Sequence, residues 1–110
     1  MNKVKITVLK RTFHKELAEQ YAVSSIGPCE YTREGMTFVC TNGWQKPEGL
    51  CDTAWKALME YVFALAHGGG DFFGGEARDP KKFVVSCSDG FRPVSFLVEA
   101  LDEEGETLYR

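Results

Sequence analysis

Asp52-Thr53-Ala54-Trp55-Lys56-Ala57-Leu58-Met59-Glu60-Tyr61-Val62-Phe63-Ala64-Leu65-Ala66-His67 is the stretch on which the fold turns. Asp52 stands where an N-cap is expected, able to accept the backbone N–H of Ala54 or Trp55, and Gly68 follows as a left-handed C-terminal residue. At about 100° per residue, Thr53, Lys56, Ala57, Glu60, Ala64 and His67 form a narrow stripe that is polar or small. Trp55, Leu58, Met59, Tyr61, Val62, Leu65 and Ala66 cover most of the remaining circumference. Such a pattern predicts one long central helix covered on more than one side, by a sheet and further by loops, a second helix or a partner subunit.

The segments around it supply that sheet. Val4, Ile6 and Val8 alternate with Lys3, Lys5, Thr7 and Leu9, a first strand to about Lys10 with one buried face. His14 to Ala22 reads as a short amphipathic helix, Leu17, Ala18 and Tyr21 sharing a face and Thr12 a candidate cap. Gly27-Pro28-Cys29 belongs to a loop, because a proline pushes the residue before it out of the α region. Met36-Thr37-Phe38-Val39-Cys40 has strand composition, and so has Lys82 to Cys87. Ser88-Asp89-Gly90 is a turn signal leading to a strand from Val94 to Leu101, so the last two strands should form a hairpin. Asp102-Glu103-Glu104-Gly105 is readable as a further tight turn into Thr107-Leu108-Tyr109, or as a frayed terminus. The expectation is a single α+β domain over residues 1–110 in the order β-α-β-α-β-β. Four or five strands make a mixed or antiparallel sheet with both helices packed against it.

A chain of 110 residues is long enough for one core. No run reaches the roughly 18–20 apolar residues that cross a bilayer, and Lys3-Val4-Lys5-Ile6 alternates where a signal peptide would carry an apolar run. The reading is cytoplasmic, with reduced thiols. A net charge of −3 supplies no electrostatic reason to seek nucleic acid or an anionic membrane. Lys3, Lys5, Lys10, Arg11 and Lys15 crowd the start, and Glu99, Asp102, Glu103, Glu104 and Glu106 the end. They face each other if the terminal strands are neighbours, and otherwise solvate edge strands.

Cysteine is the most informative residue type. Cys40 belongs to a strand pattern and reads as core. Cys29 follows Gly-Pro, Cys51 precedes the helix cap and Cys87 ends a strand beside a turn, three positions from which side chains can converge on one end of a sheet. As metal ligands, Cys29, Cys51 and Cys87 would offer thiolates to zinc or iron, with His67, Asp52 or Cys40 as a fourth ligand. None of the spacings is the close pair that structural zinc sites use, and His67 has a simpler role at the negative end of the helix dipole. As a reactive thiol, Cys51 is the candidate nucleophile or redox group, since the start of a helix favours a thiolate, although adjacent Asp52 opposes this. As packing, all of them merely fill space.

The glycine-rich stretch Gly68-Gly69-Gly70-Asp71-Phe72-Phe73-Gly74-Gly75 follows a helix instead of opening one, so it is no phosphate loop. It reads as an irregular packed loop or as a flap presenting Phe72 and Phe73 to a pocket or partner. Asp89-Gly90-Phe91-Arg92-Pro93 reads as a turn in which Arg92 is a candidate to grip a carboxylate or phosphate.

Taken together, Val4-Lys5-Ile6-Thr7-Val8-Leu9-Lys10-Arg11, Gly27-Pro28-Cys29, Cys51-Asp52-x-Ala54-Trp55, Gly69-Gly70-Asp71-Phe72 and Cys87-Ser88-Asp89-Gly90-x-Arg92-Pro93-Val94 resemble a family of small, single-domain prokaryotic proteins of uncharacterised activity. In that family a proline often follows Gly-Pro-Cys, where this chain has Glu30, and a second cysteine often stands where this chain has Ser86. The resemblance implies no activity, cofactor or partner, but it supports treating Cys29, Cys51, Cys87, Asp89 and Arg92 as one candidate ligand-binding site. The sequence therefore points to a ligand- or partner-binding module, monomeric or homodimeric, acting on a small molecule or a protein. Metal binding through zinc or iron and thiol chemistry at Cys51 are the alternatives.

Overall fold

The computed structural model describes residues 1–107 and Tyr109. Its elements are β1 (Asn2–Arg11), α1 (Lys15–Tyr21), β2 (Thr37–Cys40), α2 (Asp52–Ala66), a short helical turn α3 (Phe72–Gly75), β3 (Lys82–Ser86) and β4 (Val94–Glu104). The four strands form one sheet in the order β2-β1-β4-β3, every neighbouring pair antiparallel. This is the expected α+β class, with four strands and no parallel pair among the described residues.

Alternation decides which way each strand faces. Val4, Ile6 and Val8 of β1 and Val94, Phe96 and Val98 of β4 are all at most 2 % exposed, and Cys40 and Val85 join the same core from the two edge strands. α2 lies over this face, packing on β1, β3 and β4. Its Ala54, Trp55, Leu58, Val62, Leu65 and Ala66 are buried at spacings of three and four, the period of one helix side. Fully burying a Leu or Val side chain contributes about 1.5–3 kcal/mol, so this interface outweighs any surface ion pair of the domain.

The ends of α2 are set locally, though by other residues than expected at the start. Cys51 is the N-cap, its carbonyl accepting Trp55 N–H at 2.9 Å, and no side chain caps the first turn. Asp52 instead points to solvent and meets Lys46 Nζ at 2.6 Å, an exposed pair that solvent screens. At the far end Gly68 takes φ 87°, as read from the sequence. Beside it, Gly43 at φ 79° sits where an added Cβ would lie 2.7 Å from the Ala66 methyl.

Four further expectations are revised. The terminal strands β1 and β4 occupy the centre of the sheet, not its edges, so the charged ends do meet. Lys5 is in register with Glu99, Met1 N-terminal nitrogen lies 3.0 Å from Glu104, and Lys3 lies 3.8 Å from Glu103. α1 does not cover the sheet as a second helix: it buries Ala18 and leaves Leu17 and Tyr21 exposed. Its N-cap is His14 and not Thr12, whose N–H bonds Pro93 O instead. Asp102–Glu104 continue β4 instead of turning, with Gly105 N–H bonded to Met1 O and Glu106 N–H to Thr41 O. The segment expected at Thr107–Tyr109 includes Leu108, which lies outside the described residues.

Two substitutions test this packing. Leu58→Ala, at a side chain with no exposure, should lower unfolding free energy by about 2–5 kcal/mol in urea titrations. Gly43→Ala should cost about 1–3 kcal/mol, because it combines a left-handed backbone with the Ala66 clash. An unchanged midpoint for either variant would contradict the arrangement of α2 on the sheet.

Candidate functional site

Antiparallel pairing places the end of β1 beside the start of β4, Arg11 against Val94, and the loop from β3 to β4 closes the same end of the sheet. α2 begins here, whereas its C-terminus lies at the opposite end with Met1, Asn2 and Glu104. Between α2's first turn, the β3–β4 loop and the segment after α1 is a cavity of about 130 Å3. Cys29, Cys51 and Cys87 line it together with Asp89, Arg92, Thr53, Tyr31 and Thr32, over a floor of Ala54, Val94 and Phe96. The cysteines come from three separate segments and the topology brings them to one place.

Each wall is held from behind. Arg11 Nη1 donates to Cys29 O at 2.8 Å, tying the Gly-Pro-Cys loop to the end of β1. Thr32, 3 % exposed, donates its hydroxyl to Cys29 Sγ at 3.5 Å. Cys87 Sγ accepts Val94 N–H at 3.3 Å, while Cys87 N–H donates to Val94 O at 3.0 Å. Asp89 organises the loop as an Asx turn: Oδ1 accepts the N–H groups of Phe91 (2.9 Å) and Arg92 (3.1 Å), and Oδ2 accepts Arg92 Nε at 3.2 Å. Partial burial raises the Asp89 carboxyl, but the Arg92 and Phe91 amides and then the Arg92 guanidinium outweigh it, leaving the group below the ordinary carboxylate value.

Other sequence candidates lie elsewhere. Cys40 is core, its thiol donating to Gln45 O at 3.3 Å. His67 Nδ1 bonds Phe63 O at 2.8 Å at the far end of α2, and Asp52 is tied to Lys46. None of the three candidate fourth ligands is among the residues that line the cavity with Cys29, Cys51 and Cys87. Among the described residues no group of three or more His, Cys, Asp or Glu side chains is arranged to hold a metal ion. The three thiols share one cavity.

The glycine-rich connection is a packed loop more than a flap. Phe72 packs against both Tyr61 and Phe83, with ring centroids 5.1 and 5.3 Å away, and those two rings stack on each other at 5.6 Å, whereas Phe73 stays exposed and stacks on Phe83 at 5.7 Å. Tyr31, Thr32, Thr53 and Arg11 belong to the site and were not read from the sequence. Thr53 had a signal in its place next to Asp52, but the burial of Thr32 depends on where the loop after α1 folds back.

No family model, curated protein or solved structure matches the chain. Among the described residues no helix is long and apolar enough to cross a membrane.

Native alkylation with iodoacetamide should modify Cys29, Cys51 and Cys87, which are partly exposed, and spare Cys40 until unfolding; early modification of Cys40 would contradict its placement. The Asp89 shift has a defined sign. A carboxyl depressed in the folded state adds stability above its unfolded value, near 3.8, and loses it as pH falls below that point towards the folded value. Asp89→Asn keeps an acceptor for the turn but removes the charge, so it should cost about 1 kcal/mol at neutral pH. That difference should shrink below about pH 4; a gap constant from pH 7 to 2.5 would show that the charge contributes nothing.

Proposed function

We propose that this domain binds a small molecule with an apolar body and an anionic end in the cavity at the start of α2. One observation carries the reading: Cys29, Cys51, Cys87, Asp89 and Arg92 line a single cavity although they come from three separate parts of the chain. The cavity is small, about 130 Å3, and suits a small ligand.

The charge arithmetic favours an anion. Asp89 and Arg92 cancel, and Asp89 has its own two backbone donors. The uncapped first turn of α2 then adds roughly half a positive charge with free N–H groups. Arg92 meets Asp89 through Nε, and its terminal nitrogens serve the ligand. Thr53 and Tyr31 add hydroxyl donors, Ala54, Val94 and Phe96 receive the apolar body, and the thiols supply soft, weakly hydrogen-bonding walls.

A nucleophilic or redox use of Cys51 is the second reading, favoured by its place as the N-cap with no side-chain hydrogen bond. It differs in its observable, because Cys51 would then alkylate at least about tenfold faster than Cys29 and Cys87 at neutral pH.

An amide NMR titration with butanoate, with butanol as the neutral control, tests the ligand reading. Saturable shifts are expected at residues 29–32, 51–54 and 87–94, with butanoate binding more tightly than butanol. Arg92→Gln should weaken butanoate by about tenfold and leave butanol unchanged. Shifts scattered over the surface, or no saturation with either compound, would remove this function.

A further inference from the structure

The side of α2 turned away from the sheet carries an apolar patch that none of the described residues covers. Met59 is 45 % exposed, Phe63 51 % and Trp44 51 %, and with Gly43, Lys56 and Glu60 they line one open groove. Lys56, Met59, Glu60, Phe63 and His67 follow spacings of three and four along α2, hence one stripe. His67 extends it by stacking on Phe63, ring centroids 4.3 Å apart.

Trp44 is held in place there. Asn42, 3 % exposed, accepts the N–H of Trp44 (3.2 Å) and of Gln45 (2.9 Å) on Oδ1 and donates Nδ2 to Gln45 Oε1 at 3.1 Å. Gly43 packs against Ala66 so closely that only a glycine fits. A buried polar network and a left-handed glycine thus hold the backbone from which the half-exposed Trp44 side chain projects, and an aromatic group on a preorganised backbone is the residue type that anchors protein interfaces.

We propose that this face is the interface of a two-fold homodimer, in which Trp44, Met59 and Phe63 pack against their counterparts and Lys56 of each copy meets Glu60 of the other. The occupant follows from the charges. An interface related by a two-fold axis must be complementary to itself. The patch carries one cation and one anion a helical turn apart, so an axis through that turn matches both pairs at once. A strongly charged foreign partner would meet a rim with no net charge and gain nothing from it.

The open face of the sheet makes a poorer interface. Its exposed Leu9, Val39 and Val84 share that face with a row in which Lys5 is in register with Val39 and Glu99, and Glu99 with Lys82. Lys82 already lies 3.7 Å from Glu99 within the chain. The α2 interface shares no residue with the cysteine cavity and stands independently of the ligand reading.

Sedimentation equilibrium of the full chain from roughly 1 to 500 μM tests it, a range that brackets a dimer of modest buried area. A monomer–dimer equilibrium is expected. Phe63→Glu should weaken it by at least about tenfold, and Lys56→Glu by about tenfold through like charges across the axis. The double swap Lys56→Glu/Glu60→Lys should return to within about threefold of the unmodified chain, which only a contact between identical surfaces can do. All three positions are exposed, so thermal melts will confirm that each variant folds. A monomer at every concentration, a dimer indifferent to Phe63→Glu, or a double swap no tighter than Lys56→Glu alone would each overturn the proposal.

Discussion

Everything in this domain depends on one contact, the burial of Leu58, Val62 and Leu65 of α2 with Val4, Ile6, Phe96 and Val98 of the two central strands. Each of these side chains is fully enclosed, and at about 1.5–3 kcal/mol apiece a few of them equal the whole 5–15 kcal/mol by which a domain is stable. Because the strands that receive the helix are central, the helix position also sets where its two ends fall. The C-terminus is pinned among Met1, Gly43 and Glu104. The N-terminus is left at the end of the sheet where three connecting segments gather.

The cavity is a consequence of that geometry and of polar groups that satisfy one another behind it. Asp89 spends its oxygens on the turn and on Arg92, Arg11 holds the Cys29 carbonyl, and Thr32 holds the Cys29 sulfur. Cys87 is bound in both directions to Val94. Bonds of about 1 kcal/mol each would not fold the chain, but they fix loops that have little apolar surface of their own. What remains unspent at the cavity is the first turn of α2, whose N–H groups no side chain caps. Asp52, one residue further, is directed to Lys46 and solvent, which leaves that turn open.

α2 serves three environments around one cylinder. Its inner side is core, its first turn borders the cavity and its outer side carries Met59 and Phe63 beside a fixed Trp44. Those two side chains are about half exposed, which is why the helix looked apolar over most of its circumference although the described residues supply only one covering layer. The second helix that such a pattern invited does not arrive, because α1 is short, buries Ala18 alone among its residues and sits at the end of the sheet.

Local information was enough to write most of the elements. Alternation placed Val4, Ile6 and Val8 on one face, the three-and-four spacing located α2 almost to the residue, Gly68 stopped it, and Ser88-Asp89-Gly90 announced the hairpin, each through contacts or dihedrals spanning only a few residues. The convergence of Cys29, Cys51 and Cys87 was legible as a tendency, since all three stand at element ends. The rest needed pairings between distant residues. That β1 and β4 are central and neighbours follows from registers such as Ile6 with Val98, and no local pattern distinguishes a central strand from an edge strand when each has one buried face. Likewise the choice of Cys51 over Asp52 as cap, the burial of Thr32 and the packing of Phe72 on Tyr61 and Phe83 were decided by what the finished sheet and helix left room for. Side-chain periodicity fixes which face is apolar; only the closing of long loops over a common core decides which face meets which.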